Sequence, residues 1–180
     1  LHGSSAASDV YKRQTLGGAG DIVVAGNLTA KENGKINAEG NFLSFGGKVD
    51  VSGANAGTIS FNSTGEISLG GTLNASSSTN AGGKIDIQSD YKIIQSHGSE
   101  INTSGHTKGG NILVSAPNIM SSGSMSSNGS QQGGFIDIES EGYIRLLSTD
   151  INVAGNTHGG LVRIGGCLLY TSPSPRDLAV

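Results

Sequence analysis

One cysteine, three prolines and no tryptophan occur among the 180 residues, and each scarcity removes a class of protein. A lone cysteine forms neither an intrachain disulfide nor a cysteine-based zinc site. So little proline, with no strict Gly-X-Y period, excludes collagen. No run of about 18 apolar residues is present, so nothing reads as a membrane-spanning helix and no membrane insertion is expected. Basic residues are few: 11 Lys and Arg against 14 Asp and Glu give a net charge of −3, spread along the chain. That balance disfavours nucleic acid and anionic lipid as partners, because both need basic patches. What the chain does have is 30 glycines with abundant Ser, Thr and Asn, a composition poor in helix formers. Regular aliphatic pairs argue against disorder. The length suits one domain.

The two ends do not share this pattern. Residues 4–14 read SSAASDVYKRQ and residues 167–177 read CLLYTSPSPRD. Both resemble translations of transposase-type sequencing-library adapters, codon for codon, with residues 1–3 and 178–180 falling where index bases are read. The resemblance implies that 1–14 and 167–180 are adapter-derived and non-native, and such segments are set aside in fold reasoning. Cys167, Pro173 and Pro175 go with them. The remaining stretch, 15–166, is cysteine-free and still acidic.

That stretch is a repeat. A unit Gly-x-apolar-x-apolar opens each coil: Gly34 leads KINA, Gly57 leads TISF, Gly83 leads KIDI, Gly110 leads NILV, Gly134 leads FIDI and Gly160 leads LVRI. The spacing is 23–27 residues, in the range of solenoid repeats. Five full coils are expected, with 15–33 as the tail of an earlier one. Each coil holds three short alternating runs. In the coil from Gly83 they are 84–87, 92–95 and 100–103; in the coil from Gly134 they are 135–138, 143–146 and 150–153. Period-2 alternation marks half-buried strands, and the Gly, Ser and Asn clusters between them are turn chemistry.

Stacking the coils lines up columns. Ile59, Ile85, Ile112, Ile136 and Val162 share one; Phe61, Ile87, Val114, Ile138 and Ile164 share the next. In the third strand Val49, Leu73, Ile101, Met125 and Ile151 align, and the intervening Asp50, Asn74, Asn102, Ser126 and Asn152 are expected to point outward. Like positions recur once per coil and are not mirrored, so the strands are expected to be parallel and in register, about 4.8 Å apart. The fold predicted is an all-β parallel β-helix. One coil cannot stand alone, because its six or so buried side chains, roughly 1.5–3 kcal/mol each, do not offset the entropy of ordering about 25 residues. Neighbouring coils make up the difference. Three turns per coil are expected to need positive φ somewhere, which glycine supplies. The pairs Gly82–Gly83, Gly109–Gly110, Gly133–Gly134 and Gly159–Gly160 fall at one corner.

Segments such as GGNILVSAPNIMSSGSMSSNGSQQGGFIDIES and STDINVAGNTHGGLVRIGG resemble the coil repeats of filamentous-haemagglutinin-type exoproteins, over nearly all of 15–166. The resemblance implies a right-handed parallel β-helix, exported by two-partner secretion through an outer-membrane transporter partner. It implies the extracellular or outer-membrane surface of a Gram-negative bacterium, and a role as an adhesin or contact-dependent toxin. The family's amino-terminal Asn-Pro-Asn type motif is not found among these residues, which marks the stretch as an interior piece of the shaft.

Glycosidases and lyases also use β-helices, and such enzymes need paired carboxylates. Asp86 and Asp137 share a column about 9–10 Å apart, a separation compatible with paired-carboxylate chemistry. Leu113 lies between them and Arg163 flanks Asp137, which reads as a solvated surface with one cross-strand ion pair; Glu139 and Glu141 add to the acidic group. His97, His106 and His158 fall in loops that do not stack, so no metal site is expected. GGAGD at 17–21 lacks a residue needed for a calcium-binding nonapeptide, and no phosphate-binding loop is present. Asn-x-Ser/Thr sequons begin at Asn27, Asn62, Asn74, Asn102 and Asn128. Phe61 belongs to the core by register, whereas Phe135 and Tyr143 point outward and are the ligand-contact candidates. No catalytic residue and no cofactor are assigned. The expected function is a non-catalytic shaft whose partner is a host-cell or surface glycan or protein receptor, with edge-to-edge self-association of the isolated piece. The alternatives are a polysaccharide-acting lyase or hydrolase and the shaft of a contact-dependent toxin.

Overall fold

The computed structural model describes residues 13–165, and among them all regular structure is β. Numbered along the chain, the first turn holds β1 (Arg13–Gly17), β2 (Asp21–Val24) and β3 (Leu28–Thr29). The second holds β4 (Lys35–Gly40), β5 (Phe42–Phe45) and β6 (Lys48–Asp50), and the third β7 (Thr58–Ser63), β8 (Glu66–Leu69) and β9 (Thr72–Asn74). The fourth holds β10 (Lys84–Ser89), β11 (Lys92–Gln95) and β12 (Glu100–Asn102). The fifth holds β13 (Asn111–Ser115), β14 (Asn118–Ser121) and β15 (Ser124–Ser126). The sixth holds β16 (Phe135–Glu139), β17 (Tyr143–Leu146) and β18 (Asp150–Asn152), and β19 (Leu161–Gly165) opens a further turn.

Every third strand pairs with its counterpart one turn away, always parallel. The first sheet runs β1-β4-β7-β10-β13-β16-β19; the second and third, six strands each, run from β2 to β17 and from β3 to β18. The chain is therefore a three-sided parallel β-solenoid of six turns. The stretch expected to be the tail of an earlier coil is itself a complete three-strand turn, because β1 pairs with β4 over its whole length. That strand begins at Arg13 and Gln14, two positions inside the segment set aside from sequence; the rest of both end segments lies outside the described residues.

The inward columns are those the repeat implies. Ile59, Ile85, Ile112 and Ile136 pair in sequence and are fully enclosed. Phe61 is enclosed too, and its ring stacks on Phe45 with centroids 4.0 Å apart and planes 7° from parallel, an arrangement that adds to the area term. One inward column is not aliphatic throughout: in the second sheet Phe45 and Leu69 are followed by Gln95 and Ser121, then Leu146.

The corners are held by side chains. At the end of the first strand, the hydroxyls of Ser63, Ser89 and Ser140 accept from the backbone N–H two residues on, in Gly65, Tyr91 and Gly142. Each also donates to a carbonyl of the preceding turn, at Asn41, Gly65 and Pro117, 2.6–2.8 Å away. After the third strand, the Oδ1 atoms of Asp50, Asn74, Asn102 and Asn152 accept from the N–H of Ser52, Ser76, Ser104 and Ala154. These are turns in which a short polar side chain replaces a backbone partner.

Two expectations change here. Asp50 does not point into solvent as its column predicted; it is 5% exposed, covered by Lys48 and Asn74. Nor do the corner glycine pairs supply positive φ. Among the described residues the only glycine with positive φ is Gly98. Apart from Gly159, the paired glycines lie where turns touch: a Cβ on Gly83 would meet the Gly57 carbonyl oxygen, one on Gly110 that of Gly83, and one on Gly134 that of Gly110.

Candidate functional site

The outward column of the first sheet carries the carboxylates weighed from sequence. Asp86, Leu113, Asp137 and Arg163 follow one another in register. Asp86 is engaged by Lys84 at 2.8 Å and by the Gln88 amide at 3.2 Å. Arg163 donates Nε to Asp137 Oδ1 at 2.8 Å, brings Nη2 onto the other Asp137 oxygen, and reaches Glu139 Oε1 at 2.9 Å. Hydrogen bonding to Asp137 is what raises the Arg163 pKa above its ordinary value. Asp137 is enclosed beneath this guanidinium, not solvated as its surface column suggested.

Phe135 and Tyr143 lie on different sheets. Phe135 opens β16, half-buried between Asn111 and Leu161; Tyr143 opens β17 with the Arg145 guanidinium 4.8 Å from its ring centre. They form no ring contact with each other. Tyr91, which the sequence did not single out, is the more exposed aromatic at 56% against 38% for Tyr143. Its neighbour Lys92 is ion-paired with Glu66 at 2.9 Å, and that hydrogen bond holds the ammonium above its ordinary pKa.

His158 stands in register with Gln132 and Lys108, whereas His106 follows Gly105, whose own column continues through Gly129 and Gly155. Among the described residues no three potential ligands converge on a metal position. Four of the five sequon asparagines are tied into turns or to a neighbouring coil: Asn27 and Asn128 accept backbone N–H groups, as do Asn74 and Asn102. Asn62 is exposed on β7.

The concave feature of this surface was not foreseen. It runs along the corner between the first and second sheets, where the serines described above draw the chain inward. One wall is the column Glu39, Asn62, Gln88, Ser115 and Glu139, consecutive in the ladder. The other continues in phase past the corner: Asn41, Thr64, Asp90, Pro117 and Glu141, with Thr64 hydrogen-bonded to Asn41 across turns. Two cavities of about 730 and 510 Å³ occupy the trough and share Asp90. The only sequence signal for it was the serine recurring at the end of the first strand.

Fold and surface together define a three-sided parallel β-solenoid with polar corners. Comparison with protein families, curated proteins and solved structures found no match.

Proposed function

We propose that this chain is a shaft segment of a large secreted bacterial surface adhesin, in which the solenoid projects a binding surface and does no chemistry. The observation that carries the reading is the unbroken parallel register of all three sheets through six turns. In such a stack each turn contacts only its neighbours, so length grows by repetition without a new core. That is the architecture suited to reach. The carboxylates that an enzymatic reading would use are instead spent on ion pairs, Asp86 with Lys84 and Asp137 with Arg163. In this reading the solenoid stands on the outer surface of a Gram-negative cell, delivered by an outer-membrane transporter partner, and meets a glycan or protein receptor. Purified chain is expected to bind cells or immobilised glycans saturably, measured by titration of labelled protein. Failure to bind at high concentration counts against the reading, and turnover of any member of a broad polysaccharide panel would replace it with an enzyme.

A further inference from the structure

We propose that the trough between the first and second sheets binds a linear glycan without acidic groups, laid along the solenoid axis. The inference rests on the adhesive reading and gives it a place and a ligand class.

Shape comes first. Five successive turns contribute to each wall, so at about 4.8 Å per turn the trough is on the order of 19 Å long. A concave channel of that length suits an extended chain better than a compact molecule. Successive turns repeat the lining about every 4.8 Å, comparable to the advance of one sugar unit along an extended glycan.

The lining narrows the chemistry. Carboxylates accept only, amides at Asn62 and Gln88 both donate and accept, and hydroxyls at Thr64 and Ser115 do either. This set matches a partner dense in hydroxyl groups. Apolar lining is limited to Ala19, Ala116 and Pro117, too little to seat the anchors of a peptide or a lipid. Glu39, Asp90 and Glu141 are not ion-paired among the described residues, and their charge repels nucleic acid, uronate and sulfated chains. Asp90 and Glu141 stand two turns apart with Pro117 between them, a spacing for alternate units of a polymer and not for one metal ion. Tyr91, next in the chain to Asp90, is 56% exposed, with Lys92 Nζ 5.7 Å from its ring centre, and is an aromatic ring near the trough on which a sugar can stack.

The test uses the 180-residue chain and three sets of hexasaccharides: neutral glucans, glucosamine oligomers and galacturonate oligomers, titrated by calorimetry. Saturable binding of the neutral or amine-bearing set, with none of the galacturonate set, is expected. The double variant Asp90→Lys with Glu141→Lys should weaken binding by roughly tenfold or more, while Asp150→Asn on the third sheet leaves it unchanged. If the double variant does not fold, judged by circular dichroism, Asn62→Ala with Gln88→Ala takes its place. Binding confined to the acidic set, binding indifferent to the trough variants, or no binding at millimolar sugar each overturns the inference. If cells still bind wild type and trough variant equally, only this inference falls. If neither binds cells, the adhesive reading falls with it.

Discussion

Gln95 and Ser121 meet inside the solenoid, one turn apart: the Ser121 hydroxyl donates to Gln95 Oε1 at 2.7 Å, and both residues are enclosed. They stand in a column that is otherwise Val24, Phe45, Leu69 and Leu146. The pair is tolerated because its other groups are also satisfied. Gln95 Nε2 donates to the Ser124 carbonyl at 3.1 Å, and Thr149 caps the Ser121 carbonyl at 2.6 Å. A buried polar atom with a partner costs little, whereas one left without a partner costs its full desolvation.

Ser121→Ala therefore strands the Gln95 carbonyl oxygen. A loss of about 1–3 kcal/mol is expected, read from urea denaturation midpoints. Adding Gln95→Leu should recover part of it, since the stranded amide oxygen goes with its partner and only the Ser124 carbonyl loses a donor. A double variant less stable than the single one would show that the polar pair does more than satisfy itself.

Gly110→Ala drives a methyl onto the backbone carbonyl of Gly83. A backbone in a hydrogen-bonded ladder has no rotamer with which to yield, so destabilisation of at least about 1–3 kcal/mol is expected. Gly159→Ala is the control, because nothing lies within 4 Å of its Cβ position. Equal thermal midpoints for the two variants would contradict the close-approach account of these glycines.

Asp50 predicts a pH dependence. Burial by itself raises its pKa, but hydrogen bonds from Ser52 and Lys48, with the Lys48 charge, outweigh this and hold it below the ordinary value. A folded pKa below the unfolded one means stability that is complete above the unfolded value, about pH 4. It is lost as pH falls through the lower folded value. The stability difference between wild type and Asp50→Asn should therefore shrink on acidification below about pH 4. A difference that grows there would reverse the sign and defeat the assignment.

Among the described residues, β19 pairs on one side only, with β16. Ile164 is 46% exposed, although its column mates Ile138 and Val114 are enclosed, and Leu161 is 60% exposed. Apolar positions beside unpaired backbone groups invite a further strand. Concentration-dependent association is expected in sedimentation velocity, weakened by Leu161→Lys with Ile164→Lys. A wild-type monomer at every concentration tested would contradict it.

Much of this was legible along the chain. The three runs written as 92–95, 143–146 and 100–103 reappear as β11, β17 and β12 within a residue, and every aliphatic column named from the repeat is a ladder column. The tail ahead of Gly34 was undercounted because its third run is very short: β3 has two residues, and pairing with β6 is what makes it a strand. The site was far less legible. Alternation puts Phe135 and Tyr143 outward in adjacent runs of one coil, but it gives no sign that two polar columns meet at the corner between those runs.

By itself the sequence determined the repeat, the parallel register and the identity of the core. Those follow from a two-residue alternation and a coil-length period, both local properties of the chain. Tertiary structure alone decided that Asp50 is covered, that the corner glycines are required for space and not for φ, and that two polar columns enclose a trough. Each depends on atoms more than 20 residues apart in the chain, such as Asp50 with Asn74 or Ser140 with Pro117. Their contact is set by how one turn settles on the next.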